Sequence, residues 1–395
     1  MLGSLSINFF IRTSGPILTY IILLLNGRYI DNATLGKIIL GISIANIIQS
    51  FASMGFSALV IRNISSEFSI KKSNIFKILL TFQTFLVSII FVIFSKIYNL
   101  DFYFILVSIP LIAGSYQCLK IRSYNKITIY NLLQSLCVPL TQVIMLFVYV
   151  NYFSLTAKQY LFILFLPFVF ISWIFSLSER RSLINKKINF SDLKILFSSS
   201  LIIGISGIIA SLNTNIDNVM ISKFCGFDCL PEYKMHSIIT LIGLLLSSTY
   251  GIQIGNDFAK LYQNGDKNGF INLIKKGIKY NFLYHSISIP ACFLILPSLT
   301  KFISVNYSLS YTLILYFTLT GLVLSSVNLI ILGSIQIGLE RKIFIFNILA
   351  LLTNIFLNYK LIPIYGIYGA AFGTFIGSLV SLFLCFNILN KKIYG

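Results

Sequence analysis

Apolar runs of about 20 residues recur from one end of this chain to the other, with only short connections between them. A helix of about 20 residues is what crosses a hydrocarbon core roughly 30 Å thick. Backbone inside lipid has no water to bond to, so runs of this kind that cross a bilayer must be helices. Twelve spans can be placed, at about 6–26, 38–61, 75–95, 102–119, 129–150, 159–178, 196–221, 236–256, 280–299, 310–333, 343–361 and 366–389. The longest connections, near residues 179–195 and 257–279, leave no room for a folded extramembrane domain. Only 10% of the 395 residues are charged, whereas a soluble domain needs about a quarter to cover its aqueous surface. The expected fold class is therefore an all-α integral membrane protein with twelve transmembrane helices. The first run lacks a short apolar core followed by a small-residue cleavage site, and it reads as a span and not as a removed signal.

A formal charge of +19 would suit nucleic acid if the cations formed a patch, but they lie in small groups between apolar runs. They read as topology. Loops after even-numbered spans, with the termini, hold 22 of the 30 Lys and Arg residues, and loops after odd-numbered spans hold 8. The positive-inside rule then places both termini in the cytoplasm. An internal match supports a duplication: KITIYNLL from Lys126 and KIFIFNIL from Lys342 each open the fifth span of a six-span set. The predicted halves are residues 1–184, with a cationic cytoplasmic linker to about 194, and residues 195–395, with the binding site expected between them.

Polar groups in hydrocarbon are expensive and mark bundle interiors or hydrated cavities. In span one Asn8, Arg12, Gly15, Thr19 and Asn26 share one face. Ser43, Asn46, Ser50, Ser53 and Ser57 do so in span two, and Ser199, Ser206, Asn213 and Asp217 in span seven. For Ser and Gly alone, helix packing accounts for such stripes; amides and charges add a cavity reading. Arg12 lies about 9 Å into its span, deep enough to need a reason and shallow enough to snorkel, and its planar fork suits a diphosphate. Asp217, near the outer end of span seven, can pair with Lys223, bind a coupling cation or cap the interface. Arg28 and Arg62 stand at opposite ends of the first hairpin, as interface anchors or as cavity cations.

Other chemistry finds little support. His236 and His285 sit at span ends, away from any Ser, Cys or carboxylate arrangement that would suggest nucleophilic catalysis. No P-loop pattern occurs, and the six cysteines show no zinc-type spacing, so neither cofactor nor metal is expected. Cys225 and Cys229 share one loop and are either bonded, in an oxidising compartment, or two free thiols. Near the C-terminus, a break at Pro363–Gly366 precedes Gly369, Gly373 and Gly377, a small-residue row that lets another helix approach closely.

Three segments resemble the polysaccharide flippases of the multidrug/oligosaccharidyl-lipid/polysaccharide exporter superfamily. They are IDNVMISKFCGFDCLPEYK (Ile216–Lys234), with Asp217, Gly226 and Tyr233 in the family pattern; the first hairpin, with Gly15, Pro16 and MGFSALVIRNIS from Met54; and the turn after Asn358, with LIPIYG followed by Gly369, Ala370 and Ala371. Pro231 and Glu232 depart from the usual Val-Gly before Tyr233. The resemblance implies a V-shaped bundle like that of multidrug and toxin extrusion (MATE) transporters, and a place in the bacterial inner membrane. It also implies ion-coupled flipping of undecaprenyl-diphosphate-linked oligosaccharide, best matched by O-antigen repeat units, with H+ or Na+ as coupling ion. The expected partners are membrane lipids, the lipid-linked oligosaccharide and the polysaccharide polymerase machinery, with no nucleic acid. On this reading Arg12, with Arg28 or Arg62, holds the diphosphate. Asn46, Gln49, Asn213 and Asn215 meet sugar hydroxyls, and Asp217 takes the coupling cation. Two rivals are a multidrug or cation exporter of the same superfamily, which should carry more acidic residues inside the membrane, and an O-antigen polymerase, which should carry a large external loop.

Overall fold

The computed structural model describes residues 2–53, 127–152, 166–171, 190–303 and 309–394. With the backbone obliged to satisfy itself, every described element is helical. In chain order these are α1 (Leu2–Tyr29), α2 (Asn32–Ser53), and α3 (Ile127–Asn131), which passes through a π-helical turn at Leu132–Cys137 into α4 (Val138–Tyr152). There follow α5 (Phe190–Phe224), α6 (Cys229–Gln263), α7 (Lys267–Ile303), α8 (Tyr311–Gln336), α9 (Glu340–Tyr365) and α10 (Ile367–Tyr394); residues 166–171 are also helical. Among the described residues, seven helices are long and apolar enough to cross a membrane: α1, α2, the run from α3 into α4, and α7 to α10. Helices α5 and α6, at 35 residues each, are long enough but carry the polar stripes. The expected spans at 75–95 and 102–119, and Arg62, lie outside the described residues.

Several helices outrun the apolar segments that mark them. The ninth span, expected at about 280–299, is the centre of a 37-residue helix, because hydropathy registers only the lipid-embedded turns while helix continues into the interface. Lys267–Lys279 is such an extension, and Phe270, Ile274 and Gly277 on it are buried. One consequence is that His285, expected at a span end, lies at the midpoint of α7 and is 1% exposed. Near the C-terminus the expected break at Pro363–Gly366 shrinks to one residue. Helix α9 runs through Pro363 to Tyr365, and Gly366 alone, at a φ of 56°, turns the chain into α10.

The chain divides into two compact units, one of residues 1–32 with 220–395 and the other of residues 33–219. In the first, α1 packs against α6 and α7, α6 against α8, and α10 against both α8 and α9. Ile254 and Phe258 of α6, Phe270 and Ile274 of α7, Leu329 and Ile330 of α8, Ile343 of α9 and Leu389 of α10 meet in one apolar core. The glycine row of α10 lies along α9. A side chain begun at Gly369 would stand 2.5 Å from the Leu361 carbonyl oxygen, and one at Gly377 would stand 3.2 Å from that of Ala350. The row thus closes α10 onto α9, as small-residue packing in lipid requires. In the second unit, Val138 of α4 and Ile171 form a small buried cluster flanked by Tyr130 and Phe168.

Candidate functional site

In the unit of residues 33–219, α2 and α5 meet along a polar seam. Asn218 Nδ2 donates to Ser43 Oγ at 2.7 Å, and Ser43 in turn donates to the Ile39 carbonyl at 2.8 Å. At the other end, Ser211 Oγ donates to the Asn46 carbonyl at 3.1 Å. As the contacts climb from 43 to 46 on α2 they fall from 218 to 211 on α5, so the two helices run antiparallel. Asn215 lies between these two bonds along α5 and is buried, its amide nitrogen donating to the Ser211 carbonyl at 2.9 Å and to Thr214 Oγ1 at 3.0 Å. Asp217 is 4% exposed, and with Asn215 and Asn218 it makes three buried polar side chains within four residues. Asn46, Gln49 and Asn213 are half-buried, and Thr214 is exposed.

The seam sorts the amides. The residues that bond to α2 are Ser211 and Asn218, two turns apart, and neither is on the 206, 213, 217 stripe picked out by periodicity. Asn218 was missed for that reason. The segment from Asn213 to Asn218 reads NTNIDN, so polar residues occupy nearly every direction around the helix. Periodicity within such a segment cannot choose a face; a donor opposite Ser43 on the partner helix can.

In the other unit, α1 is fastened to α7. The Phe9 and Tyr284 rings meet edge to face at 6.2 Å, and the buried Tyr20 hydroxyl lies 2.7 Å from Thr300 Oγ1. Thr300 uses its own proton on the Leu296 carbonyl at 2.8 Å, so Tyr20 is the donor. Arg12 is half-buried on this helix, one turn beyond Phe9. Arg28 is exposed in the last turn of α1, where a cation meets the negative end of the helix dipole, and its guanidinium stands 5.7 Å from the centre of the Tyr29 ring. Sixteen residues of helix put about 24 Å between Arg12 and Arg28, so a diphosphate held by one is out of direct reach of the other.

The turn from α5 to α6 is built in detail. Cys225 and Cys229 form a disulfide, and Gly226 takes a φ of 94° between them. The Phe224 ring packs edge to face on Tyr359 of α9, and Lys223 and Lys360 stand over the Phe224 and Tyr359 rings. Such cation and aromatic pairs suit an interfacial belt. Behind it, His236 Nδ1 donates to the Glu232 carbonyl at 2.8 Å, and its Nε2 accepts from the Ser310 amide at 3.1 Å. Burial holds the Glu232 carboxyl above its ordinary pKa. Among the described residues, no group of three or more His, Cys, Asp or Glu is placed to hold a metal ion.

Comparison with known proteins gives a fold. No family model and no curated sequence matches the chain. The solved structure of lipid II flippase MurJ, in an inward closed conformation, superposes with a TM-score of 0.70 at 16% identity, covering 97% of this chain and 87% of its own. A multidrug resistance MATE transporter of the MOP superfamily, inward-facing, gives 0.70 at 12% identity and covers 98% of both chains; an outward-facing one gives 0.69 at 12%. The chain therefore has the all-helical fold shared by MurJ and the MATE proteins.

Proposed function

We propose that this protein flips an undecaprenyl-diphosphate-linked oligosaccharide, of the O-antigen repeat-unit type, across the bacterial inner membrane by ion-coupled alternating access. The observation that carries this reading is the charge of the spans. Arg12 is a half-buried guanidinium in the first spanning helix, and of the 11 acidic residues only Asp217 lies inside an expected span. An anionic diphosphate calls for that balance, since a guanidinium binds phosphate oxygens through paired, charge-assisted hydrogen bonds. The fold supports it, because a protein with the same fold is a flippase of lipid II. Arg12 meets the diphosphate, with Arg28 or Arg62 available at other stages. Asn46, Gln49, Asn213 and Asn215 supply amides for sugar hydroxyls, and Asp217 takes the coupling cation. Residues 1–184 and 195–395 act as the duplicated halves, and both termini are cytoplasmic. The cation count puts the Cys225–Cys229 turn outside, where disulfides persist.

The test is made in cells at matched protein level. Arg12→Ala and Asp217→Ala should each deplete surface polysaccharide, and Arg12→Lys should recover part of it. Unchanged polysaccharide in both alanine variants would remove the site assignment.

The buried Asp217 favours a second reading, export of cationic compounds. A transporter of this fold from Pyrococcus furiosus is described as having a binding pocket of reverse polarity suggesting a different function, so pocket charge is a property that varies within the fold. Protection against cationic dyes that is lost in Asp217→Asn and kept in Arg12→Ala would select the exporter.

A further inference from the structure

The face that α7 buries carries two polar side chains one turn apart, Asn281 at 0% and His285 at 1% exposure. Both polar atoms of the Asn281 amide and the Nε2 of His285 are buried and make no hydrogen bond with any described residue. Such atoms are costly in a protein interior and more so in lipid, where no water is at hand to replace the missing partner. Three of them on adjacent turns of one helix indicate a site for something that binds there.

Their chemistry narrows what that is. His285 Nδ1 lies 2.8 Å from the Asn281 carbonyl, which can only accept, so Nδ1 carries the proton and Nε2 presents a lone pair. The register around Asn281 comes from the turns on either side. One turn earlier, Gly277 faces Tyr250 of α6 and Leu329 of α8; one turn later, His285 meets Gly243 of α6 beside Gly321 of α8. Ser247 of α6 and Ser325 of α8, both fully buried, fall at the level of Asn281. Their hydroxyl protons go to the Leu244 and Leu322 carbonyls at 3.1 and 2.8 Å, leaving oxygen lone pairs. The site is rich in acceptors and holds no carboxylate. It is also tight, since a side chain begun at Gly243 would stand 3.0 Å from Nε2 and 2.8 Å from the Gly321 Cα. Sodium prefers several oxygen ligands and room for them, whereas an imidazole nitrogen beside an amide oxygen, with space for less than a methyl group, suits a proton.

The geometry points to Asn281 and His285 as a proton-binding site, at the crossing of α6, α7 and α8. The proton adds to Nε2, Nδ1–H goes on donating to the Asn281 backbone carbonyl, and the Asn281 side-chain oxygen or the serine oxygens accept from the new N–H. The groups around it leave His285 as the one that titrates. From α6 and α8 the facing residues are Gly243 and Gly321. On α7 they are Tyr284, whose phenol donates to the Ile242 carbonyl at 2.8 Å, and Cys292 two turns on. From α1, Phe9 covers Tyr284, with Arg12 one turn beyond. A charge placed where Gly243 of α6 and Gly321 of α8 approach closely favours a looser packing there, so protonation and helix packing are linked, as a ligand with different affinity for two states requires. On the flippase reading this adds a proton site to the cation role proposed for Asp217.

The chain has only two histidines, so 15N-histidine NMR of the full-length protein in lipid nanodiscs reads the site directly and without any transported substrate. His236→Gln, or His285→Gln if the first does not fold, assigns the two signals. The expected result is that His285 Nε2 passes from unprotonated to protonated as the pH is lowered within the range over which the protein stays folded. Asn281→Leu should then lower the midpoint by about one unit, a tenfold loss of proton affinity. A His285 signal that stays neutral throughout, one that answers to sodium at fixed pH instead, or a midpoint indifferent to Asn281 would each overturn the site. None of these outcomes depends on what the protein transports.

Discussion

If close approach of backbones holds the unit of residues 1–32 and 220–395 together, one substitution repeated at three glycines should give three different results. At Gly207 a new Cβ meets nothing within 4 Å; at Gly377 it meets the Ala350 carbonyl oxygen at 3.2 Å; at Gly369 it meets the Leu361 carbonyl oxygen and carbon at 2.5 and 2.6 Å. All three lie in helices, so Gly→Ala brings the same intrinsic gain, up to about 1 kcal/mol. Gly207→Ala should keep that gain. At Gly377 the neighbour must yield by a few tenths of an ångström, which should consume most of it. At Gly369 the obstructing atoms are backbone, and α10 must move away from α9 by roughly 0.8 Å to restore contact distance. Overpacking of this kind costs about 1–3 kcal/mol, so the net loss should be about 0–2 kcal/mol and the gap between Gly369→Ala and Gly207→Ala about 1–3. The assay is reversible unfolding of the purified protein in mixed detergent micelles. Equal stability of the Gly207 and Gly369 variants would refute the claim that carbonyl contact sets the α9–α10 spacing.

Four further outcomes follow. Tyr20→Phe and Thr300→Val should each destabilise the protein, with a coupling energy in a double-mutant cycle of about 0.6–1.7 kcal/mol, the range for hydrogen bonds inside membrane bundles; zero coupling would contradict the bond. An impermeant maleimide applied to intact cells should label Cys225 and Cys229 only after reduction, and labelling without reductant would show that they are free. A pKa raised by burial means that ionised Glu232 costs stability, increasingly as pH rises above its ordinary value of 4.5. Glu232→Gln should therefore stabilise the fold at pH 8 and make little difference at pH 4, and a benefit confined to acid would reverse the sign of the argument. Arg28→Ala, at an exposed helix end, should reduce surface polysaccharide less than Arg12→Ala.

The helical, membrane-spanning character was legible because lipid allows one backbone solution and the apolar runs state its length. Helix ends were not. The turns of α7 before residue 280 leave the hydrocarbon, so hydropathy stops marking them although Phe270 and Ile274 are in the core. His285 shifted from a span end to a helix centre for that reason. The polar stripe of α2 was legible because Ser43 and Asn46 stand against an apolar background. On α5 the crowded NTNIDN segment hid which amides face α2, and Asn218 emerged only from its bond to Ser43. The π-helical turn at Leu132–Cys137 has no residue pattern that announces it.

Reconstitution of the purified protein into vesicles carrying a fluorescent undecaprenyl-diphosphate oligosaccharide tests the flippase account most directly. With a proton gradient imposed, the labelled sugar should move between leaflets, as read by a membrane-impermeant quencher, and Arg12→Ala should abolish the movement at equal incorporation. A wild-type protein that leaves the label in its starting leaflet while it expels a cationic dye would contradict the account and establish the exporter in its place.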